Sequence, residues 1–489
     1  MRRQNYLFFF ISLLLTCTVF GQDGQVLFTK NFTPEEFAQR REKIYDAIGN
    51  EALALLQGAP SPSGYVRFRQ SNEFFYVCGI EVPHAYVLLD GRSRRTSLYL
   101  PNRNEQRERA EGKVLSAEDA ELVRQLSGVD AVYSTDLLGE HLARYARNPR
   151  QATIYTPFSP AEGTAMSRDL ALRSLSDASS DPWDGNLSRE ARFIQHLRNR
   201  FPHFQIQNLT PILDELRLIK SPAEIAMIRK ATRLSGQALI EAMRATMPGI
   251  YERELDAVAK FVFYRNGAQG DAYYSLVASA SNAWYPHYNA GTRQMQDGDF
   301  LLMDYAPDVG YYMSDVTRVW PVNGTFNSWQ VELYDFYLTC YQAILKSIRP
   351  GILASTIKAE AAAAMAAHLE KSTFSKPHYL KAAQDFVKSY QSSSQSSYAS
   401  LGHWVGMSTH DVGSHDGPLR AGMVFTIEPA LRVPEEKIYI RLEDVIVVKA
   451  DGIEILSDFV PMERKAIEKV MSEPGMLNSY APLELTGKE

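Results

Sequence analysis

Between residues 300 and 320 the chain reads FLLMDYAPDVGYYMSDVTRVW. Two strand-like apolar runs stand here, the first ending in Asp304 and the second opening with Asp315. The arrangement recurs downstream. Glu428 ends VFTIE at 424–428, and Glu443 lies inside IYIRLEDVIVV at 438–448. Acidic side chains rarely become buried unless they are paired or bind a metal. One acid at a strand end is ordinarily solvated; four, each set against an apolar run, point to convergence.

Brought together alone, the four carboxylates would repel one another until several stayed protonated. Two divalent cations and one neutral imidazole, from His403, bring the formal charge to zero. Oxygen donors with a single imidazole favour manganese, iron or cobalt over metals that seek thiolate, with zinc a further candidate. Two such ions roughly 3.5–4 Å apart can share a water and deprotonate it near neutral pH. His403 comes from SLGHWVGMSTHDVG at 400–413, which carries a second histidine, His410, seven positions on. Alone, that stretch is equally a strand that happens to hold histidines.

The 489 residues are 45% hydrophobic and 22% charged, an ordinary soluble composition with room for two cores. A net charge of −5 gives no electrostatic reason to expect nucleic acid. The N-terminus, MRRQNYLFFFISLLLTCTVFGQ, places Arg2 and Arg3 before an apolar run from Leu7 to Leu15. Small residues follow, with Val19 and Gly21 at cleavage-site spacing. This reads as a secretory signal over 1–21, too short and too early for a membrane span, and predicts a periplasmic or secreted protein. A lipidated Cys17 is the alternative, although Leu15 and Thr16 fit its motif poorly. The remaining cysteines, Cys78 and Cys340, sit in apolar contexts and read as buried free thiols.

Residues 22–205 read as an α/β domain. A helix at 33–48 leads into strand-like EALALLQG (51–58). FFYVCGI (74–80), AYVLLDG (85–91) and TSLYLP (96–101) read as strands, and a helix at 116–128 precedes VDAVYST (129–135). The Ser-, Asp- and Gly-rich stretch 159–186 reads as exposed loop. The second domain, 206–489, opens on LDELRLIKSPAEIAMIRKAT (213–232), where Ser221, Pro222 and Glu224 form a helix-start signature. Helical patterns at 221–247, 252–266 and 328–369 alternate with strand-like segments. QSSSQSSYAS (391–400) reads as a flexible insertion.

In order and spacing, MDYAPDVGYYMSDVTR, ASLGHWVGMSTHD, TIEPAL and IRLEDVIVV resemble the motifs of the aminopeptidase P and prolidase family. RFRQSNEFFYVCGIEVPHAYVLL (67–89) resembles that family's N-terminal domain. The resemblance implies an α/β N-terminal domain followed by an α+β catalytic domain of the pita-bread fold. It implies proline-specific release of N-terminal residues from peptides, with homo-oligomers, dimeric or tetrameric, and two divalent ions, manganese foremost. By the resemblance, Asp304 chelates one metal, His403 and Glu428 ligate the other, and Asp315 and Glu443 bridge them. Glu428 also shuttles a proton, His410 contacts the substrate carbonyl without ligating, and His287 sits near the scissile nitrogen. Arg441 matches an arginine near the site, with a structural ion pair as its alternative. Phe75 stands where the family commonly has a tryptophan reaching a neighbouring subunit's proline pocket. Ala399 occupies a position often held by histidine. Asp308 falls outside the family spacing and reads as a loop acid. A dipeptide-restricted prolidase, a broader aminopeptidase and a non-catalytic binding module of this fold stand as alternatives.

Overall fold

The computed structural model describes residues 31–147, 153–183, 185–396 and 398–480. The signal stretch, its cleavage after Gly21 and the Cys17 alternative lie outside the described residues. The N-terminal domain is built on six strands: β1 (Ala52–Gln57), β2 (Tyr86–Asp90), β3 (Arg95–Leu100), β4 (Ala131–Ser134), β5 (Thr153–Thr156) and β6 (Gln205–Asn208). Their order is β4-β3-β2-β1-β5-β6, antiparallel through the β1–β2–β3 meander and parallel at both flanks. Since β6 completes this sheet, the N-terminal unit extends past the expected boundary at 205, to Asn208.

Helix Pro34–Ile48 starts where the sequence predicts, with Thr33 as its cap and Pro34 at the first helical position. Two expectations fail here. FFYVCGI is a helix, Asn72–Cys78, with every residue buried, and Gly79 closes it at φ 68°, a left-handed conformation suited to glycine. The 159–186 stretch likewise holds a helix, Arg168–Ser180, capped by the Ser167 hydroxyl, which accepts from Leu170 N at 3.2 Å.

The catalytic half contains small antiparallel sheets. A two-residue pair, β7 (Gly270–Asp271) with β10 (Pro307–Asp308), flanks the sheet β11-β9-β8, made of β8 (Leu276–Ser279), β9 (Phe300–Asp304) and β11 (Thr317–Pro321). A second sheet, β12-β15-β16, joins β12 (Val424–Ile427), β15 (Asp444–Val448) and β16 (Ile453–Ile455). Between them in sequence, β13 (Ala430–Val433) and β14 (Ile438–Arg441) form a hairpin. The expected single strand through Glu443 is therefore two strands, β14 and β15, with Leu442 and Glu443 at the break.

Long helices cover these sheets, among them Pro222–Ala245, Glu252–Arg265, Ser328–Ser347, Ala354–Leu369 and Pro377–Ser394. The Ser221 capping box forms as predicted: Ser221 N donates to Glu224 Oε2 at 2.8 Å, and Glu224 N donates to Ser221 Oγ at 3.2 Å. Helix Pro377–Ser394 absorbs the first four residues of the supposed insertion at 391–400. One continuous core runs from Phe37 and Phe75 in the N-terminal domain to Tyr311 and Leu333 in the catalytic half. Cys78 and Cys340 are buried free thiols. Among the described residues no helix is long and apolar enough to cross a membrane.

Candidate metal centre

Strand register delivers the acids to one place. Asp304 closes β9, opposite Thr317 at the start of β11, so Asp315 lies just beyond the same sheet end. Ile427 pairs with Asp444, which brings Glu428, just after β12, beside Glu443, just before β15. The two sheet ends are joined by the backbone: Glu443 N donates to Thr317 O at 3.1 Å. Arg318, fully buried, fixes this seam. Its guanidinium donates to Thr317 O (2.9 Å), Glu443 O (2.8 Å) and Asp444 Oδ1 (2.7 Å).

His403 faces the acids from the 400–413 loop. Its Nδ1 lies 3.2 Å from Trp404 O, a group that can only accept, so Nδ1 carries the proton and Nε2 points inward. Nε2 is 3.3 Å from Asp315 Oδ2, 3.4 Å from Glu428 Oε1 and 3.7 Å from Glu443 Oε1. Ligand atoms of Asp304, Asp315 and Glu443 lie within 4.8 Å of one another, as do those of His403, Glu428 and Glu443. The structure thus brings together all five expected ligands.

The electrostatics call for cations. Burial, then the charges of Glu443 and Asp304, push Asp315 well above the usual carboxylate range. Burial and Glu443 raise Glu428 too. Burial works against a charged His403, yet the facing carboxylates of Asp315, Glu443 and Glu428 carry its pKa well above the ordinary histidine value. Glu443 Oε2 takes a hydrogen bond from Thr317 Oγ1 at 2.7 Å, but Glu443 Oε1 is buried with no donor. A buried carboxylate oxygen left bare in a pocket of acids is what a cation would satisfy. The donor set, four carboxylates and one imidazole, suits hard to borderline divalent ions.

Tyr273 is a site residue the sequence reading missed. Its hydroxyl lies 2.5 Å from Asp304 Oδ1 and 2.6 Å from Asp315 Oδ1, spanning the two aspartates. A tyrosine in a strand-like run carries no signal of this, because the contact joins residues 31 and 42 positions apart.

The remaining expected residues sort by position. His410 is in the site, its ring stacked on His403 with centroids 3.9 Å apart and planes 23° apart. Burial, followed by the charges of His403, His287 and Arg441, drives its pKa down to about 3, so it is neutral at ordinary pH. His287 follows a short turn at Ala280–Trp284 and is exposed, near enough for its charge to lower the pKa values of His410 and Glu428. For Arg441 the ion-pair alternative holds: its guanidinium binds Asp304 Oδ2 and stands 3.6 Å from Glu428 Oε2. It braces the ligand carboxylates of Asp304 and Glu428. Phe75 is a correction. Its ring is fully buried, stacked on Tyr311 at 3.6 Å, and presents nothing to a neighbouring subunit. Asp308 is buried, not a solvated loop acid; it takes Arg69 Nε at 2.8 Å and caps Tyr311 N at 3.0 Å. His415 lies flat on Trp404, 4.7 Å away. A cavity of about 650 Å³ lies in the N-terminal domain between Tyr86 and Phe193, apart from these carboxylates.

Residues 226–450 match the family model described as Metallopeptidase family M24, and residues 37–155 match that of the aminopeptidase P N-terminal domain. The chain carries a domain of the metallopeptidase M24 type, preceded by an aminopeptidase P-type N-terminal domain. It is 28% identical to the Xaa-Pro aminopeptidase of Escherichia coli over 456 residues, covering 89% of this chain and 97% of the relative. It is 27% identical to the mitochondrial intermediate cleaving peptidase 55 of Arabidopsis thaliana over 464 residues, 92% of this chain and 85% of that one. The solved structure of zinc-substituted E. coli aminopeptidase P in complex with product superposes with a TM-score of 0.71. The two are 26% identical, over 90% of this chain and 98% of that one. The architecture is accordingly that of aminopeptidase P, with a pita-bread catalytic domain. A domain of the M24 type implies divalent metal ions and a peptide substrate.

Proposed function

We propose that this protein releases the N-terminal residue from peptides with proline in second position, using two divalent ions, manganese foremost. The observation that carries the reading is the convergence of Asp304, Asp315, Glu428 and Glu443 on His403 Nε2, with one buried carboxylate oxygen left bare. Asp304, Asp315, His403, Glu428 and Glu443 would hold the ions. Bound there, they would polarise a carbonyl and lower the pKa of a water molecule.

The chain's own residues supply the rest. Glu428 is the most solvent-accessible of the four acids, with a raised pKa, which suits it to accept a proton and pass it on to the departing nitrogen. His410, neutral and fixed against His403, offers an N–H to the substrate carbonyl oxygen as negative charge develops there. His287, exposed to solvent and close to Glu428, is placed to attend the leaving amine. Tyr273 and Arg441 hold Asp304 and Asp315 in orientation.

Proline preference is the finer part of the proposal. A broader aminopeptidase is the second reading, favoured by Ala399 in place of a polar contact and by a relative named for intermediate cleavage, not proline. Losing one hydrogen bond to substrate costs about 0.5–1.5 kcal/mol, enough to loosen the preference without erasing it. We further propose export with removal of residues 1–21, to the periplasm or as a secreted protein, working as a dimer or tetramer. The test is a peptide panel on manganese-loaded protein. Xaa-Pro-Yaa should be cut fastest, with slower release from Xaa-Ala-Yaa. Equal rates on the two would defeat the proline assignment, and cleavage of Xaa-Pro dipeptides alone would make the protein a prolidase.

A further inference from the structure

The loop that carries His410 is held on its far side by residues outside the metal centre. Asn72, fully buried in the N-terminal domain, donates from Nδ2 to Met407 O at 3.1 Å and to Ser408 Oγ at 3.0 Å. Thr409 N donates to Met166 O at 2.9 Å, and the His410 backbone pairs with Ser167 in a parallel bridge. Asp411, one residue on, takes Arg217 Nη2 at 2.5 Å. Lys220 Nζ stands 3.0 Å from its other oxygen, an ion pair without hydrogen-bond alignment. Every residue from 407 to 411 is thus gripped by an element that supplies no metal ligand.

The grips form one unit. Asn72 Nδ2 also reaches Glu162 Oε2 at 3.2 Å, and Glu162 Oε1 receives Arg217 and Arg168, each at 3.0 Å. Arg168 binds Glu73 at 2.7 Å. The side chains of Glu162, Arg217, Lys220 and Asp411 are at most 1% exposed. Buried charges this well paired cost several kcal/mol to desolvate and are poor value as mere glue, since apolar packing often serves as well or better. What they provide is a fixed geometry, because each guanidinium accepts only one arrangement of its partners. Gly406 shows how tight the grip is: a Cβ there would lie 2.0 Å from Asp411 Oδ2 and 2.8 Å from Lys220 Cε.

We infer that Asn72 and Arg217 are positioning residues for His410, and that the N-terminal domain, together with the helix Thr210–Leu218 that carries Arg217, acts in the reaction as the mould of the loop bearing that histidine. The inference rests on the carbonyl-contacting role proposed above. His403 stands at the other end of the loop, aimed by Trp404 O, which also accepts from Asp411 N at 2.8 Å. Asn72 grips residues 407 and 408, away from that pair, so its loss loosens His410 while leaving the ligand in place. A displacement of about 1 Å in a group that stabilises the transition state can cost up to 100-fold in rate.

The test is a double-mutant cycle with metal content measured throughout. Asn72→Ala should lower kcat by about tenfold or more, with KM within threefold of wild type and metal content unchanged. In the His410→Ala background the same substitution should change kcat by less than twofold, because the group it positions is already gone. Arg217→Lys, which keeps the charge but shortens the reach to Asp411, runs through the same cycle and serves if Asn72→Ala does not fold. Equal kcat losses in both backgrounds, or loss of metal, would overturn the inference and leave the network a structural one. If the wild-type protein cuts no peptide at all, the proposed function has failed instead. Hydrogen exchange then reads the mould without activity: unchanged exchange at residues 407–411 in Asn72→Ala would overturn it.

Discussion

His403 and His410 sit seven residues apart in one loop, and their surroundings give them opposite characters. His403 looks into four carboxylates, which raise its proton affinity until a cation displaces the proton. His410, a ring's thickness away, faces His403 and Arg441 and is held neutral. A neutral imidazole can donate to a developing oxyanion without competing for the metal site. His410→Ala should therefore keep wild-type metal content and lose about 10²-fold in kcat, as when one oxyanion donor is removed. Unchanged kcat would refute the role, and metal loss would make His410 a ligand. At this scale much was legible from sequence, because acids against apolar runs are costly unless they share a partner. Two residues misled and one was missed. Phe75 and Asp308 were read from the family resemblance, but burial against Tyr311 and pairing with Arg69 decided their positions. Tyr273 gave no signal, since a hydroxyl in the connection between β7 and β8 has no spacing rule.

At the scale of elements, the site depends on two strand ends staying in register, and Arg318 holds them. It is fully buried with Asp444, whose other oxygen accepts from Tyr341 OH at 2.7 Å. Replacing Arg318 with Met leaves a buried carboxylate without its cation and should cost about 3–5 kcal/mol of stability, measured by chemical denaturation. A loss below about 1 kcal/mol would show that the seam is held otherwise. Element boundaries were read well where signals were local: the helix expected over 33–48 spans Pro34–Ile48, and the Ser221 capping box sits where predicted. They were misread where periodicity was absent. Asn72–Cys78 is apolar nearly throughout because the helix is buried on all sides, so it mimics a buried strand. Arg168–Ser180 is mostly polar and exposed, so it mimics a loop, and only its Ser167 cap betrays it. IYIRLEDVIVV resembles one strand because its break at Leu442–Glu443 needs neither glycine nor proline.

Across the whole molecule, the two domains meet through buried charge. Glu73, facing Glu162, Arg168 and Arg217, is pushed up to about 7 by burial first and by the Glu162 charge second. Its folded pKa lies above the unfolded value near 4.5, so the folded protein keeps a proton the unfolded chain releases. This group therefore costs stability progressively as pH rises from about 4.5 to 7. Glu73→Gln, which mimics the protonated form, should gain on wild type across that window, by about 1–3 kcal/mol at pH 8. A wild-type-to-variant difference that stays flat from pH 4.5 to 8 would refute the shift. None of this network was legible in the sequence. It joins residues up to 336 positions apart through Asn72 and Ser408, and no local pattern encodes such a meeting.

The account stands or falls on the metal centre. Metal-depleted protein titrated with manganese and counted by elemental analysis should bind two ions per chain and recover peptide hydrolysis with them. Asp315→Ala should bind fewer and recover none. Two tightly held ions and full turnover in Asp315→Ala, or no divalent ion retained by the wild-type chain, would contradict it.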